Sequence, residues 1–154
     1  MPAPPGSGRA PFLPLTLDEA RRRGWTEALE NSGIGIDPSL VVYGDYSEES
    51  AARAAKELLD RNPSLDGLFC CSDLMAIAAV EVLRSRGRRL PEAVAGVRFD
   101  ILHIASRVPP ALTTVSQHVP LSGKILARDL AAFLRGGPVT TRTVPVDLVV
   151  RASA

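Results

Sequence analysis

The side chains of this sequence that could do chemistry recur at one kind of place, directly after a short apolar run. Asp45 and Tyr46 follow the run at 40–43, Ser72 and Asp73 the run at 67–71, Asp100 the run at 94–99, and Gln117 the run at 112–115. A rim of carboxylates, a hydroxyl, an amide and an aromatic ring suits a neutral polyhydroxylated ligand. Carboxylates accept hydrogen bonds from adjacent hydroxyls, and a ring covers an apolar C–H face. Plainer roles compete at some positions: Ser72 and Asp73 also suit a helix cap, and Tyr46 also suits cover for a sheet edge. Asp100, between Phe99 and Ile101, needs a partner whatever its role, because a carboxylate among apolar neighbours is costly to bury.

Covalent chemistry finds no comparable constellation. There is no G-x-S-x-G elbow, no phosphate loop ending in Gly-Lys-Ser/Thr and no metal-type histidine pair. Gly6-Ser7-Gly8 has no strand before it, so it does not read as a dinucleotide fingerprint. His103 and His118 could each pair with an acid, but a lone loop histidine is far more often incidental. The cysteines are an adjacent pair, Cys70 and Cys71. Neighbours on a strand point to opposite faces, so a disulfide between them would be strained, and no zinc-ligand spacing can be assembled. Both thiols read as small buried groups in a reducing cytoplasm. No catalytic residue, cofactor or metal is expected.

Composition narrows the partners. Eighteen basic residues against 17 acidic ones leave a net charge of +1 over 154 residues, too little to gather phosphates or anionic lipid from a distance. Arg84, Arg86, Arg88 and Arg89 follow an apolar helical stretch, where cations suit the negative end of the helix dipole. No apolar run approaches the roughly 20 residues of a membrane span. The proline-rich opening at 1–15 lacks a continuous apolar stretch and does not read as a secretory signal, so a cytoplasmic protein is expected.

These residues must be positioned by alternating helices and strands. Thr16 and Glu19 form a capping box ahead of a helix over 17–31. The β-branched run at 40–43 predicts a buried strand, and Ser47 caps a helix that Asn62-Pro63 stops. A strand over 67–71, a helix over 74–86 closed by Gly87, and a strand over 94–99 follow. After Pro109-Pro110 come a strand at 112–115, a helix over 121–135 and a last strand over 143–150, with Val144, Val146, Leu148 and Val150 on one face. Strands apolar on both faces, alternating with helices, predict an α/β fold with a doubly wound parallel sheet covered on both sides. Ligands of such sheets bind beyond the carboxyl ends of the strands, where the polar rim lies.

The order of segments resembles the effector-binding region of the lactose-repressor (LacI/GalR) family of bacterial transcription regulators. The match is carried by Arg21-Arg22-Arg23-Gly24-Trp25, Gly44-Asp45-Tyr46-Ser47-Glu48-Glu49-Ser50, Cys71-Ser72-Asp73-Leu74-Met75-Ala76, Leu90-Pro91-Glu92, Phe99-Asp100, Pro109-Pro110-Ala111-Leu112-Thr113-Thr114-Val115-Ser116-Gln117 and Leu148-Val149-Val150-Arg151. The resemblance implies a periplasmic-binding-protein-like fold, here incomplete and mainly its C-terminal subdomain. Residues 1–15 would be an irregular leader and 16–154 the effector-binding domain, with the helix at 120–136 belonging to the other subdomain. It also implies that Arg21, Tyr46, Ser72, Asp73, Asp100 and Gln117 line the effector cleft. The effector would be a sugar or related metabolite that shifts the two subdomains and thereby operator affinity. A homodimer is implied, with DNA reached only through a headpiece that this chain lacks. The chain carries Ser72 where the family has Asn, Arg98 where it has Gly, and Ile101 where a second acid is common. Ser72 reaches less far than an amide, and Arg98 puts a bulky cation where the strand approaches the cleft. Leu126, Leu130, Phe133 and Leu134 are expected to lie exposed, making the chain marginally stable or oligomeric. Two further readings are a stand-alone solute-binding protein and a truncated partner that dimerises with a full-length regulator; an enzyme comes last.

Overall fold

Hydroxyl caps set the starts of the first three helices of this protein. In the computed structural model, which describes residues 16–99, 109–138 and 140–154, Thr16 accepts from the Glu19 N–H at 3.3 Å while the Thr16 N–H donates to the Glu19 carboxylate at 2.7 Å. Two orphan donors are thereby satisfied, and helix α1 runs from Leu17 to Asn31. It belongs to a first body ending at Asp37; a second body runs from Pro38 to Ala154.

In the second body a short 3-10 turn, Pro38–Leu40, leads to helix α2 (Glu48–Arg61). Ser47 caps α2 by accepting from the Ser50 N–H at 3.1 Å, and Glu48 and Glu49 sit in the first turn, where the helix dipole favours anions. One α2 face, Ala51, Ala54, Ala55, Leu58 and Leu59, is buried. Strand β1 (Gly67–Cys70) follows, then helix α3 (Asp73–Ser85), capped by Ser72 and stopped at Gly87, whose φ of +70° suits a residue without Cβ. Strands β2 (Ala95–Phe99) and β3 (Thr113–Ser116), helix α4 (Val119–Leu134) and strand β4 (Asp147–Val149) complete the order.

The sheet order is β1-β2-β3-β4, with the first three strands parallel and β4 antiparallel to β3. Helix α2 packs on α3, and α3 on β1 and β2. Their shared core is Ala55 and Leu59 of α2, Ala76, Ala79, Val80, Val82 and Leu83 of α3, and Leu90, Val94 and Leu112 from the loops. At Gly96 the fit is so close that a Cβ would come within 2.6 Å of the Leu90 side chain. Where β3 has not yet begun, Ser153 takes its place beside β2. Its carbonyl accepts from the Gly96 N–H at 2.7 Å, and its hydroxyl donates to the Gly96 carbonyl at 2.6 Å.

Two expectations need correction. Residues 40–43 form no strand: Val41 and Val42 are half-buried, Tyr43 is exposed, and the chain there is irregular. An apolar run becomes a strand only against a neighbouring ladder, and among the described residues no strand lies beyond β1. The last strand shrinks from 143–150 to three residues, because only Thr114, Val115 and Ser116 face it; Val146, Leu148 and Val150 are exposed. The α/β class with a sheet parallel over β1–β3 is as expected; β4 adds an antiparallel edge, and among the described residues α3 packs on the sheet and α2 on α3.

Helix α4 is built as expected, with Pro120 in its first turn where a missing N–H costs nothing. None of its residues is buried, and among the described residues no helix or strand packs against it. Leu126, Leu130, Phe133 and Leu134 are exposed, Leu134 by 75%.

This contrast predicts the outcome of truncation. Leu83→Ala removes a side chain 1% exposed and should cost about 2–5 kcal/mol in urea unfolding. Leu130→Gln should change stability by no more than about 0.5 kcal/mol. Equal costs at the two positions would contradict this division between a packed core and an unpacked helix.

Candidate functional site

Parallel pairing brings the polar positions together. Cys70, Arg98 and Thr114 lie in one row across β1, β2 and β3. Two residues beyond that row, β1 delivers Ser72 and β3 delivers Ser116, with Gln117 next. The turn before α2 reaches the same edge, since a Cβ on Gly44 would touch the Met75 side chain at 3.2 Å and the Ser50 hydroxyl at 3.1 Å, and Met75 is in the first turn of α3.

Tyr46 stands in that turn with φ of +67°, a conformation that costs a non-glycine residue about 1–3 kcal/mol unless its surroundings hold it. Asp45 supplies the hold. Its carboxylate accepts from the Ser47 hydroxyl at 2.6 Å and the Ser47 N–H at 3.0 Å, while its own N–H donates to the Ser50 hydroxyl at 3.1 Å. The same contacts, the Ser47 hydroxyl foremost and then the hydroxyl of Ser50, hold the Asp45 carboxyl well below the usual carboxylate range. The Tyr46 ring is left partly exposed, 37%.

Ser72 is half-buried and accepts from the Met75 N–H at 3.3 Å. Its cap role uses the oxygen as acceptor and leaves the O–H to donate elsewhere. Asp73, the first residue of α3, turns inward: it is 1% exposed and ion-paired with Arg98, which is 0% exposed. Arg98 therefore does not crowd the edge where the strands end; it lies under the first turn of α3. Gln117 is half-buried directly after β3. Arg21 is half-buried on α1, in the first body, whereas the other described positions belong to the second. Asp100, and with it Ile101, lies outside the described residues.

One pair is not visible in the spacing of the sequence. His118, which reads as an incidental loop histidine, starts α4 with φ of +49°, and its Nε2 lies 2.7 Å from the Asp147 carboxylate. Asp147 is 29 residues away and arrives through the antiparallel pairing of β4, so only that unexpected strand direction could have revealed it.

The described strand ends offer hydrogen-bonding groups, among them the Ser72 hydroxyl and the Gln117 amide. Burial, and then the neighbouring Cys71, push the Cys70 thiol up to about 12, far from a reactive thiolate. Among the described residues no group of three His, Cys, Asp or Glu side chains could hold a metal ion. No helix there is long and apolar enough to cross a membrane.

Residues 11–154 match the periplasmic binding protein-like domain family. The HTH-type transcriptional regulator CelR of Thermobifida fusca is 43% identical over 129 residues, 84% of this chain and 37% of that protein. A solved structure of a transcriptional regulator CelR–cellobiose complex is similar with a TM-score of 0.78 at 41% identity, covering 87% of this chain and 42% of that one. A LacI family transcriptional regulator from Arthrobacter sp. FB24, solved in complex with lactose, is similar with a TM-score of 0.77 at 26% identity, covering 92% of this chain and 51% of that one. The chain spans between 37% and 51% of the length of these relatives.

The Asp45 turn yields a prediction with a definite sign. A carboxyl whose folded-state pKa is lowered adds stability above its ordinary value, 3.8, and loses it as pH falls through the folded value. Ser47→Ala removes both the α2 cap and the main support of that lowering. In a carbon-detected titration, Asp45 of the variant should protonate nearer 3.8, and the lost cap should cost about 0.5–2 kcal/mol at neutral pH. An unchanged Asp45 titration would contradict the hydrogen bonding of this turn.

Proposed function

The chain belongs to the periplasmic binding protein-like domain family, in the form carried by LacI-type transcriptional regulators, and on that premise we propose that it is the effector-sensing part of such a regulator, taking a neutral sugar of the cellobiose kind at its strand ends. The observation that carries this is the convergence, at one edge of the second body, of the Tyr46 turn, the Ser72 cap and Gln117 beyond β3. A ring, a hydroxyl and an amide are the uncharged groups that sugar recognition uses, because each sugar hydroxyl both donates and accepts.

The mechanism is linkage rather than chemistry. In the complete regulator the sugar binds one arrangement of the effector region more tightly than another, and the difference in binding free energy shifts operator affinity by the same factor. DNA contact and homodimer formation belong to that complete regulator, working in the cytosol. The relatives are transcriptional regulators rather than enzymes, and this chain is proposed to turn over no substrate.

Isothermal titration of the chain with cellobiose, lactose and glucose tests the reading. Cellobiose should bind, and Gln117→Ala should weaken it about tenfold, the loss of a hydrogen bond or two. Failure of every sugar to bind, or wild-type affinity in the variant, overturns it.

A further inference from the structure

The buried pair Asp73–Arg98 gives this site a character that its polar rim alone does not. Its position after an apolar run groups Asp73 with the ligand-binding side chains, yet its carboxylate is 1% exposed and ion-paired with a guanidinium that solvent does not reach at all. Arg98 occupies the middle of the row Cys70–Arg98–Thr114, directly under the point where three parallel strands end. Asp73 adjoins the Ser72 cap and opens α3, so its backbone is part of the turn that carries the Ser72 hydroxyl.

Two charges withdrawn from water in this way are held by each other. Removing one strands its partner at heavy cost, whereas removing both together is often tolerated. Arg98 thus ties the carboxyl end of β2 to the first turn of α3, and a carboxylate buried against an arginine is not available to a sugar.

We propose that Arg98 is a positioning residue for the sugar site: by holding Asp73 it fixes the turn that presents Ser72, and it keeps the Asp73 carboxylate from the ligand, so that Ser72 makes the ligand contact at the end of β1. This rests on the reading of the strand ends as a sugar site. It assigns Asp73 a role in binding only through Arg98, so the two residues must act on affinity as one unit.

A double-mutant cycle read in cellobiose affinity tests this, using the full chain with Asp73→Asn, Arg98→Met and the two combined. Each single change should weaken cellobiose about tenfold, and the double should be no weaker than either single. Additive losses would mean that Asp73 meets the sugar itself, and wild-type affinity throughout would mean that the pair is only structural; either result overturns the proposal. If the singles do not fold, the double variant, which buries no charge, decides: it should be folded and still bind about tenfold more weakly, and wild-type binding by a folded double variant is contrary. If the wild-type chain binds none of the sugars, the reading of the site fails by itself. Hydrogen exchange at the amides of residues 73–76 then settles the positioning half, with faster exchange expected in the double variant than in the wild type and equal rates overturning it.

Discussion

Two opposite charges with no exposed surface, Asp73 and Arg98, set the constraint around which the carboxyl end of the sheet is organised. An isolated ion in a protein interior is untenable, so each residue dictates the position of the other. Because Asp73 starts α3 and Arg98 sits in the central strand β2, their pairing fixes helix to sheet at the level where the strands stop. Below that level α3 is held by apolar packing of Ala76, Ala79, Val80 and Leu83; above it, only caps and turns remain. The candidate site occupies that boundary, where a rigid base meets short polar connections whose geometry is set by Asp45, Ser47 and Ser72.

Cohesion is unevenly spread. Helices α2 and α3, with Leu90, Val94 and Leu112 from the loops, hold the buried apolar residues, and Ser153 closes the sheet by hydrogen bonding to both backbone groups of Gly96. Helix α4 has none of this. It is joined to the sheet through residues 117–118 and the segment leading into β4, with polar links from His118 to Asp147 at 2.7 Å and from Arg142 to Asp129 at 2.8 Å. Pairs so exposed contribute little, about 0–1 kcal/mol. The exposed leucines of α4 and its lack of packing place it at the low end of local stability, and it opens more readily than the α2–α3 layer.

What was legible in the sequence follows from the range of the interactions involved. Caps are local, so Thr16, Ser47 and Ser72 marked the starts of α1, α2 and α3 correctly. Apolar runs marked β1, β2 and β3, although β1, with one neighbouring strand among the described residues, alternates between exposed and half-buried side chains. The run at 40–43 carries the same signal without a neighbour among the described residues, and periodicity alone does not reveal whether a ladder is available. The inward turn of Asp73 was hidden for a related reason: Arg98 is 25 positions away, and only the register of β1 with β2 puts it under α3. Ser72 and Gln117 could be placed at strand ends by counting from apolar runs, while Tyr46 follows a run that forms no strand and sits in a turn instead; the Asp147 partner of His118 depended on an antiparallel strand that alternation with helices does not announce.

Hydrogen exchange of the chain with and without saturating cellobiose addresses the central claim most directly, because it reads each strand end separately. Cellobiose is expected to slow exchange together at the amides of residues 45–47, 72–76 and 116–118, and to leave the exposed face of α4 unchanged. Protection at none of these three segments, or protection confined to α4, would contradict a sugar site at the strand ends.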